Sequence, residues 1–527
     1  MKNFANLVYS LDQTTKTNKK IELVVDFFKS ACNSDKLWCI ALFSGRRPKR
    51  LISTRYLREW ACEVANLPTW LVEDTYSVIG DLAETISLLT PEKNGYSEKS
   101  LTAWISELRQ LEKQSLEKKR HFVVNAWSTL NRKERFVFNK LITGGFRLGV
   151  SQKLTVRALS KITKIDEFEL SLRLMGNWHP DTISWNSLII NDERKSDISR
   201  PYPFCLASGL DKDTLELGKR SDWVAEWKWD GIRGQFIKRA KELFIWSRGE
   251  ENLTERFPEL EALLEFIPDG SVLDGEIVAW DGEQPLDFNI LQKRIGRKKV
   301  SKSLIETAPV ILIAYDLLEL KGMDIRNQKL ESRRSKLTKL ISPIPNNLPI
   351  KLSKEIECKT WADLAHIRET SRSQSAEGIM LKNRNSDYYS GRKRGDWWKW
   401  KLDPLTIDGV LIYAQAGHGR RANLYTDYTF AVWDGNQLVP FAKAYSGLKD
   451  EEFRRITSWV KKNTIQKFGP VRQVHPELVF EIAFEGVHES TRHKSGVALR
   501  FPRMLRWRHD KLSKDANKLK DLKAFLT

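Results

Sequence analysis

Residues 226–234 read EWKWDGIRG. Lys228 lies between Trp227 and Trp229, with Glu226 and Asp230 just outside the pair and Gly231 following. One reading is packing, with the lysine stem along indole and its head in water. The other is chemistry, an amine held in a pocket and ready to attack an electrophile. The K-x-D-G spacing is too short to choose between them, so the choice rests on the rest of the chain.

The chain has 527 residues, too many for one ordinary core, and predicts about three domains. Hydrophobic residues make up 41% and charged residues 30%, as in a globular protein, and no apolar run approaches a membrane span. The start, MKNFANLVYSLDQTTKTNKK, lacks the charged-then-apolar pattern of a secretion signal. The cysteines, Cys32, Cys39, Cys62, Cys205 and Cys358, form no C-x-x-C pair, which leaves a zinc cluster or disulfide framework unsupported. A reduced, intracellular protein is the plain expectation. The net charge of +20, from 88 Lys plus Arg against 68 Asp plus Glu, points to a polyanionic partner such as nucleic acid.

Residues 1 to about 180 read as helical: Leu101, Trp104, Ile105, Leu108 and Leu111 recur at helical spacing. Gly144-Gly145 reads as a break between helices and 90–100 as a loop. The Pro-, Asn-, Asp- and Ser-rich stretch 178–206 reads as a linker. Beyond it, SVLDGEIVAWDGEQ, APVILIAYDLLEL and EGIMLKN read as strands, mixed with helices such as LESRRSKLTKLI. From about 404 the runs shorten, and turns such as Asp434-Gly435 suggest a small β-barrel of the OB type.

Several motifs could carry chemistry. Arg248-Gly249 would bring a guanidinium near a phosphate or ribose, or make an ordinary hairpin turn. LDGEIVAW places Asp274-Gly275 in a turn, with Glu276 opening a strand where a carboxylate can hold a cation or a ribose hydroxyl. Tyr315 sits in a strand, where its ring serves a base or the core. Glu377 and Lys382 stand at the two ends of another strand. In GRKRGDWWKWK, Lys399 and Lys401 are two apart and share one strand face, a good phosphate clamp and a poor core surface. RFPRMLRWRHDK closes the series with Arg500, Arg503, Arg506, Arg508 and Lys511 beside Asp510.

The order decides: K-x-D-G, R-G, D-G-E, an aromatic strand, E-G-x-x-x-K, K-x-K, then R-F-P-R. This succession resembles the covalent nucleotidyltransferases, and most closely the ATP-dependent DNA ligases, over roughly 201–511. LQKRIGRKK and DPLTIDGVLIYAQAGHGRR look like these ligases too. WLVEDTYSVIGDLAETISLL and LITGGFRLGVSQKL resemble the DNA-binding domain of the larger, three-domain bacterial type. The resemblance implies an all-α DNA-binding domain with linker over 1–200, an α+β adenylation domain over 201–403 and an OB-fold domain over 404–527.

It also implies roles. Lys228 would attack the α-phosphate of ATP; AMP would pass to the 5′-phosphate of nicked double-stranded DNA, and the 3′-hydroxyl would displace it. Glu276 and Glu377 would hold Mg2+, with Mn2+ as an alternative. Arg233, Arg248, Lys382, Arg394, Lys399 and Lys401 would line ribose and phosphates, Tyr315 would stack on adenine, and Glu226 would help recognise it. The family often has Phe at the Tyr315 position. Arg500, Arg503, Arg508, Asp510 and Lys511 would meet the pyrophosphate in the first step, carried there by a swing of the OB domain. The implied protein is a cytoplasmic, nucleoid-associated monomer without membrane attachment, working with repair or replication proteins. An RNA ligase or capping-type nucleotidyltransferase shares the core, but not typically this helical N-terminal part. A non-catalytic DNA-binding protein with a decayed ligase core is disfavoured by the intact Lys228, Glu276, Glu377, Lys399 and Lys401.

Overall fold

The structure is a computed structural model that describes all residues except 15, 47, 49, 80, 92–96, 145–149, 177, 192–196, 298–299, 418–422, 492 and 527. Parts of several sequence readings fall outside the described residues: the 90–100 loop, Gly145, the 178–206 linker, Gly80 in WLVEDTYSVIGDLAETISLL, the middle of LITGGFRLGVSQKL, and the basic ends of LQKRIGRKK and DPLTIDGVLIYAQAGHGRR. Two compact units are present, Ser151–Leu402 and Met1–Val150 with Asp403–Thr527.

The N-terminal region is helical from Lys2–Asp12 through Arg132–Thr143. Serine, aspartate and asparagine side chains start several of these helices: Asp81, Ser100, Ser115 and Asn131 each accept from an amide in the first turn. The periodicity read around Leu101 is a helix, Leu101–Gln110, with Leu101, Trp104, Ile105 and Leu108 on its buried face. Trp104 meets Phe138 edge-on at 5.3 Å. Gly144 takes the left-handed conformation at the end of Arg132–Thr143, at φ +79°.

Two sheets dominate Ser151–Leu402. The first orders Ser208–Gly209, Trp397–Lys401, Ala376–Asn383 and Trp223–Trp229. The second runs Glu242–Ser247, Ile232–Arg239, Ser271–Ala279, Val310–Leu320 and Met323–Asp324, with Ile350–Leu352 parallel to Val310–Leu320. Helix Leu330–Ile341 packs on the second sheet through Leu337 and Ile341. Part of the linker stretch is built into the fold: Asn186–Ile190 forms a π-helical turn that buries Leu188 and Ile189.

One sequence reading is corrected. Asp274-Gly275 is not a turn but the middle of strand Ser271–Ala279. Gly275 serves close packing there, since a Cβ would meet Leu312 Cδ1 at 2.6 Å and the Ile313 carbonyl at 2.8 Å.

The C-terminal region is β-rich. Strand Leu405–Ala416 pairs along its first half with Val479–Phe484 and along its second with Tyr425–Asp434. Tyr425–Asp434 turns at Asp434-Gly435 into Gln437–Ala444, with Gly435 at φ +58°. The buried faces meet helix Asp450–Lys462 through Phe453, Ile456 and Val460.

Candidate active site

Strand alternation builds the site. In Trp223–Trp229, the face carrying Trp223, Ala225 and Trp227 packs into an apolar cluster with Ile379, Leu381 and Trp398. Glu226 and Lys228 point the other way. Across the sheet Glu226 pairs with Met380 and Met380 with Lys399, while Gly378 pairs with Lys401. Lys228, Lys399 and Lys401 therefore share one face. Trp227 packs behind that face, and Trp229 lies against Val278, Ile311 and Ile313.

Glu377 should follow Ile379 and Leu381 to the opposite face. A register shift between Ala376 and Ile379 prevents this. Gly378 sits there at φ +144°, with no room for a Cβ, which would meet Lys401 Cα at 2.7 Å. The shift turns the Glu377 carboxylate onto the lysine face, where it ion-pairs with Lys228 and, at 3.1 Å, with Lys401. Burial pushes this carboxyl up, but the two ammonium groups outweigh it and hold it at about 2.

Lys399, beside them, has no such compensation. Burial and the charges of Lys401, Lys228, Arg392 and Arg248 push the Lys399 ammonium below its ordinary value. Among the described residues no carboxylate pairs with Lys399. A cationic patch of this kind calls for a multiply charged anion.

The second sheet supplies the opposite wall. Glu276 pairs in register with Arg233, and Gln235 with Asp274. Glu276 is half-buried, and burial raises it to about 7 against the pull of Lys228 and Arg233. Gly231 lets the strands close here: a Cβ would meet Glu276 Cγ at 2.9 Å, Val278 Cγ2 at 3.1 Å and the Ile277 carbonyl closer still.

Arg233 is committed to a buried cluster. It donates to Asp274 Oδ1 at 3.1 Å and Oδ2 at 2.7 Å, and to the Cys205 carbonyl at 2.6 Å. Tyr388 and Tyr315 donate to the same carboxylate at 2.7 and 3.2 Å. Asp274, a residue given no role in the sequence reading, thus holds Arg233 and Tyr315 together. The signal was its i, i+2 relation to Glu276, which the turn reading concealed.

Lys382 and Glu226 also pair, at 2.7 Å, and both are almost wholly buried. Lys382 Nζ lies 3.9 Å from the Tyr315 ring centroid and 4.5 Å from that of Trp397. Arg248 is exposed in the turn after Glu242–Ser247. Arg394 is exposed and bound to Asp211 at 2.7 Å.

The basic C-terminal motif lies in the other compact unit, on strands Val497–Arg500 and Arg503–Trp507 and the turn beyond. Arg508 and Lys511 both bind Asp408, at 3.0 and 2.5 Å, and Arg508 also binds Asp510 at 2.7 Å. Arg503 pairs with Glu485 at 2.9 Å, and the Arg500 guanidinium lies over the Phe501 ring at 5.3 Å.

Three family models match in chain order: "DNA ligase N terminus" over 1–160, "ATP dependent DNA ligase domain" over 205–401 and "ATP dependent DNA ligase C terminal region" over 421–511. The chain belongs to the ATP-dependent DNA ligases. The ligase is 28% identical to a probable DNA ligase of Koribacter versatilis, over 97% of this chain and 94% of that one. It is 27% identical to a DNA ligase of Methanococcoides burtonii, over 98% and 97%. A solved structure described as "Pmar-Lig_PreS3" shares its fold, with a TM-score of 0.61 at 16% identity over 96% of this chain and 99% of that one. The enzyme binds DNA and seals nicks in the duplex, using ATP through a lysine–AMP intermediate and a DNA–adenylate. The RNA-ligase and capping alternatives are not favoured. Among the described residues of the ligase, no helix is long and apolar enough to cross a membrane.

Proposed function

We propose that Lys228 is the residue of this ligase that carries AMP. The observation that supports it most is the shared face: Lys228 stands beside Lys399 and Lys401, opposite Glu276, with Glu377 between the lysines. Lys228 must shed its proton before attack. Its nitrogen then bonds to the α-phosphorus of ATP as the bond to pyrophosphate breaks. The 5′-phosphate oxygen of the nick takes the AMP from the lysine, and the 3′-hydroxyl finally displaces AMP to form the phosphodiester. Lys399, Lys401 and Arg248 neutralise charge on the phosphate oxygens. Arg233 lines the ribose from its buried cluster, Lys382 serves the nucleotide from beside Glu226 and the Tyr315 ring, and the exposed Arg394 lies at the edge of the site. Tyr315 stacks on adenine and Glu226 reads its edge.

Mg2+ fits these residues. Among the described residues no group of three or more His, Cys, Asp or Glu side chains could by itself hold a metal ion. Mg2+ needs only one or two carboxylates when phosphates and water complete its shell. Glu276, raised by burial to about 7, is an oxygen donor that a cation would hold ionised. Glu276 and Glu377 would hold the ion, with Mn2+ as an alternative, and it would supply charge neutralisation on the phosphates. Arg500, Arg503, Arg508, Asp510 and Lys511 serve pyrophosphate release in the first step. The domains are 1–200, 201–403 and 404–527, the last an OB-fold. The ligase acts as a cytoplasmic, nucleoid-associated monomer alongside repair or replication proteins.

The test uses full-length Lys228→Ala with ATP labelled at the α-phosphate. The variant should acquire no label, yet still join a nick that already carries a 5′-adenylate. Label retained on the variant protein would overturn the assignment.

A further inference from the structure

Glu226 is 1% exposed, deeper than any other acidic residue of the site that binds a cation, apart from Asp274. A carboxylate so placed must be paired or give up its charge. It has two cationic partners: Lys382 takes Oε2 at 2.7 Å, and Arg334 takes Oε1. Arg334 comes from helix Leu330–Ile341, behind the second sheet, and its guanidinium does more than neutralise. Nη1 also donates to the carbonyl of Tyr315 at 3.3 Å, and Nη2 to that of Ser353 at 3.0 Å. One planar fork thus fixes Glu226 relative to the backbone of Tyr315, the two residues that face the base in the reading above.

We propose that Arg334, acting through Glu226, sets the choice of nucleobase, favouring a purine with an amino group at position 6 over one with a carbonyl there. An ionised carboxylate only accepts hydrogen bonds, and it has about four acceptor positions. Arg334 and Lys382 occupy one on each oxygen, leaving others for an amino N–H. A 6-carbonyl would face the same oxygens lone pair to lone pair. Burial pushes the Glu226 carboxyl up, and only the two cations outweigh it. With Arg334 gone, one of those charges is lost, and a protonated Glu226 could donate to a 6-carbonyl. The guanidinium also matters by shape, because an ammonium cannot reach Glu226, Tyr315 and Ser353 as one rigid fork.

The proposal rests on Glu226 facing the base, and the experiment separates the two ideas. Lysine adenylation or inosinylation of the full-length protein is measured with labelled ATP and ITP, as kcat/KM for each. Wild type should prefer ATP. Arg334→Gln should lower the ATP-to-ITP ratio by about 30-fold, and Arg334→Lys, which keeps the charge, by less. Equal losses on both donors would make Arg334 merely structural and overturn the proposal. If Arg334→Gln does not fold, as judged by joining of a pre-adenylated nick, Arg334→Lys decides: a ratio lowered about threefold or more supports the proposal, and an unchanged ratio overturns it. Glu226→Gln is the control for the underlying reading. An unchanged ratio there removes Glu226 from the base. A collapsed ratio there, with an unchanged one in the Arg334 variants, overturns the Arg334 proposal alone.

Discussion

Gly231→Ala is the sharpest test of how the site is built. No positive φ requires this glycine; the demand is steric. Non-bonded carbon atoms rest at roughly 3.5–4.0 Å. An added Cβ would stand 2.9 Å from Glu276 Cγ and 3.1 Å from Val278 Cγ2, with the Ile277 carbonyl closer still. A side chain can give way, but the carbonyl is part of strand Ser271–Ala279, so the strands must part by about 1 Å. Overpacking against backbone costs about 2–3 kcal/mol. Displacing Lys228 from Glu276 by about 1 Å should slow chemistry by about 100-fold. Lysine adenylation should therefore fall by about two orders of magnitude in single-turnover assays, with a matching loss of stability in urea. Gly296→Ala is the control, since its Cβ would meet nothing within 4 Å and its φ is −72°. It should leave adenylation unchanged. A Gly231→Ala enzyme that adenylates within about threefold of wild type, at unchanged stability, would refute the steric account.

Two further outcomes follow from the buried charges. Glu276 is raised to about 7, so the folded protein keeps a proton that the unfolded chain has released above about pH 4.5. Stability should then fall as pH rises from about 5 to 8 in magnesium-free buffer, by up to about 3 kcal/mol. Glu276→Gln should be more stable than wild type at pH 8 and lose that advantage near pH 5, and a difference independent of pH would count against this origin. Asp274→Asn strands the buried Arg233 and weakens two tyrosine hydrogen bonds, which should cost about 3–5 kcal/mol in urea unfolding. A loss below about 1 kcal/mol would mean that the cluster does not hold the sheet.

The strands that carry the candidate site were legible because their patterns are local. Apolar runs in APVILIAYDLLEL and EGIMLKN are strands, and Lys399 and Lys401 share a face because strand alternation has a period of two. Asp274-Gly275 was misread because D-G is a common turn pair, and nothing in the local sequence shows that Leu312 and Ile313 crowd that glycine. Glu377 shows the same limit from the other side. Its parity places it behind the sheet, and only the shifted register at Gly378 brings it to Lys228.

By itself, the sequence determined the order of the chemical motifs and the helical, mixed and β-rich succession, and it singled out Lys228 as the amine proposed to carry AMP. These depend on residue type and short-range spacing. Tertiary structure alone decided which charges neutralise which: Glu377 on Lys228 and Lys401, Asp274 on Arg233, and Arg334 on Glu226 across 108 positions of chain. Charge pairing depends on distance and burial, and two residues far apart in sequence acquire both only when the sheets close on each other.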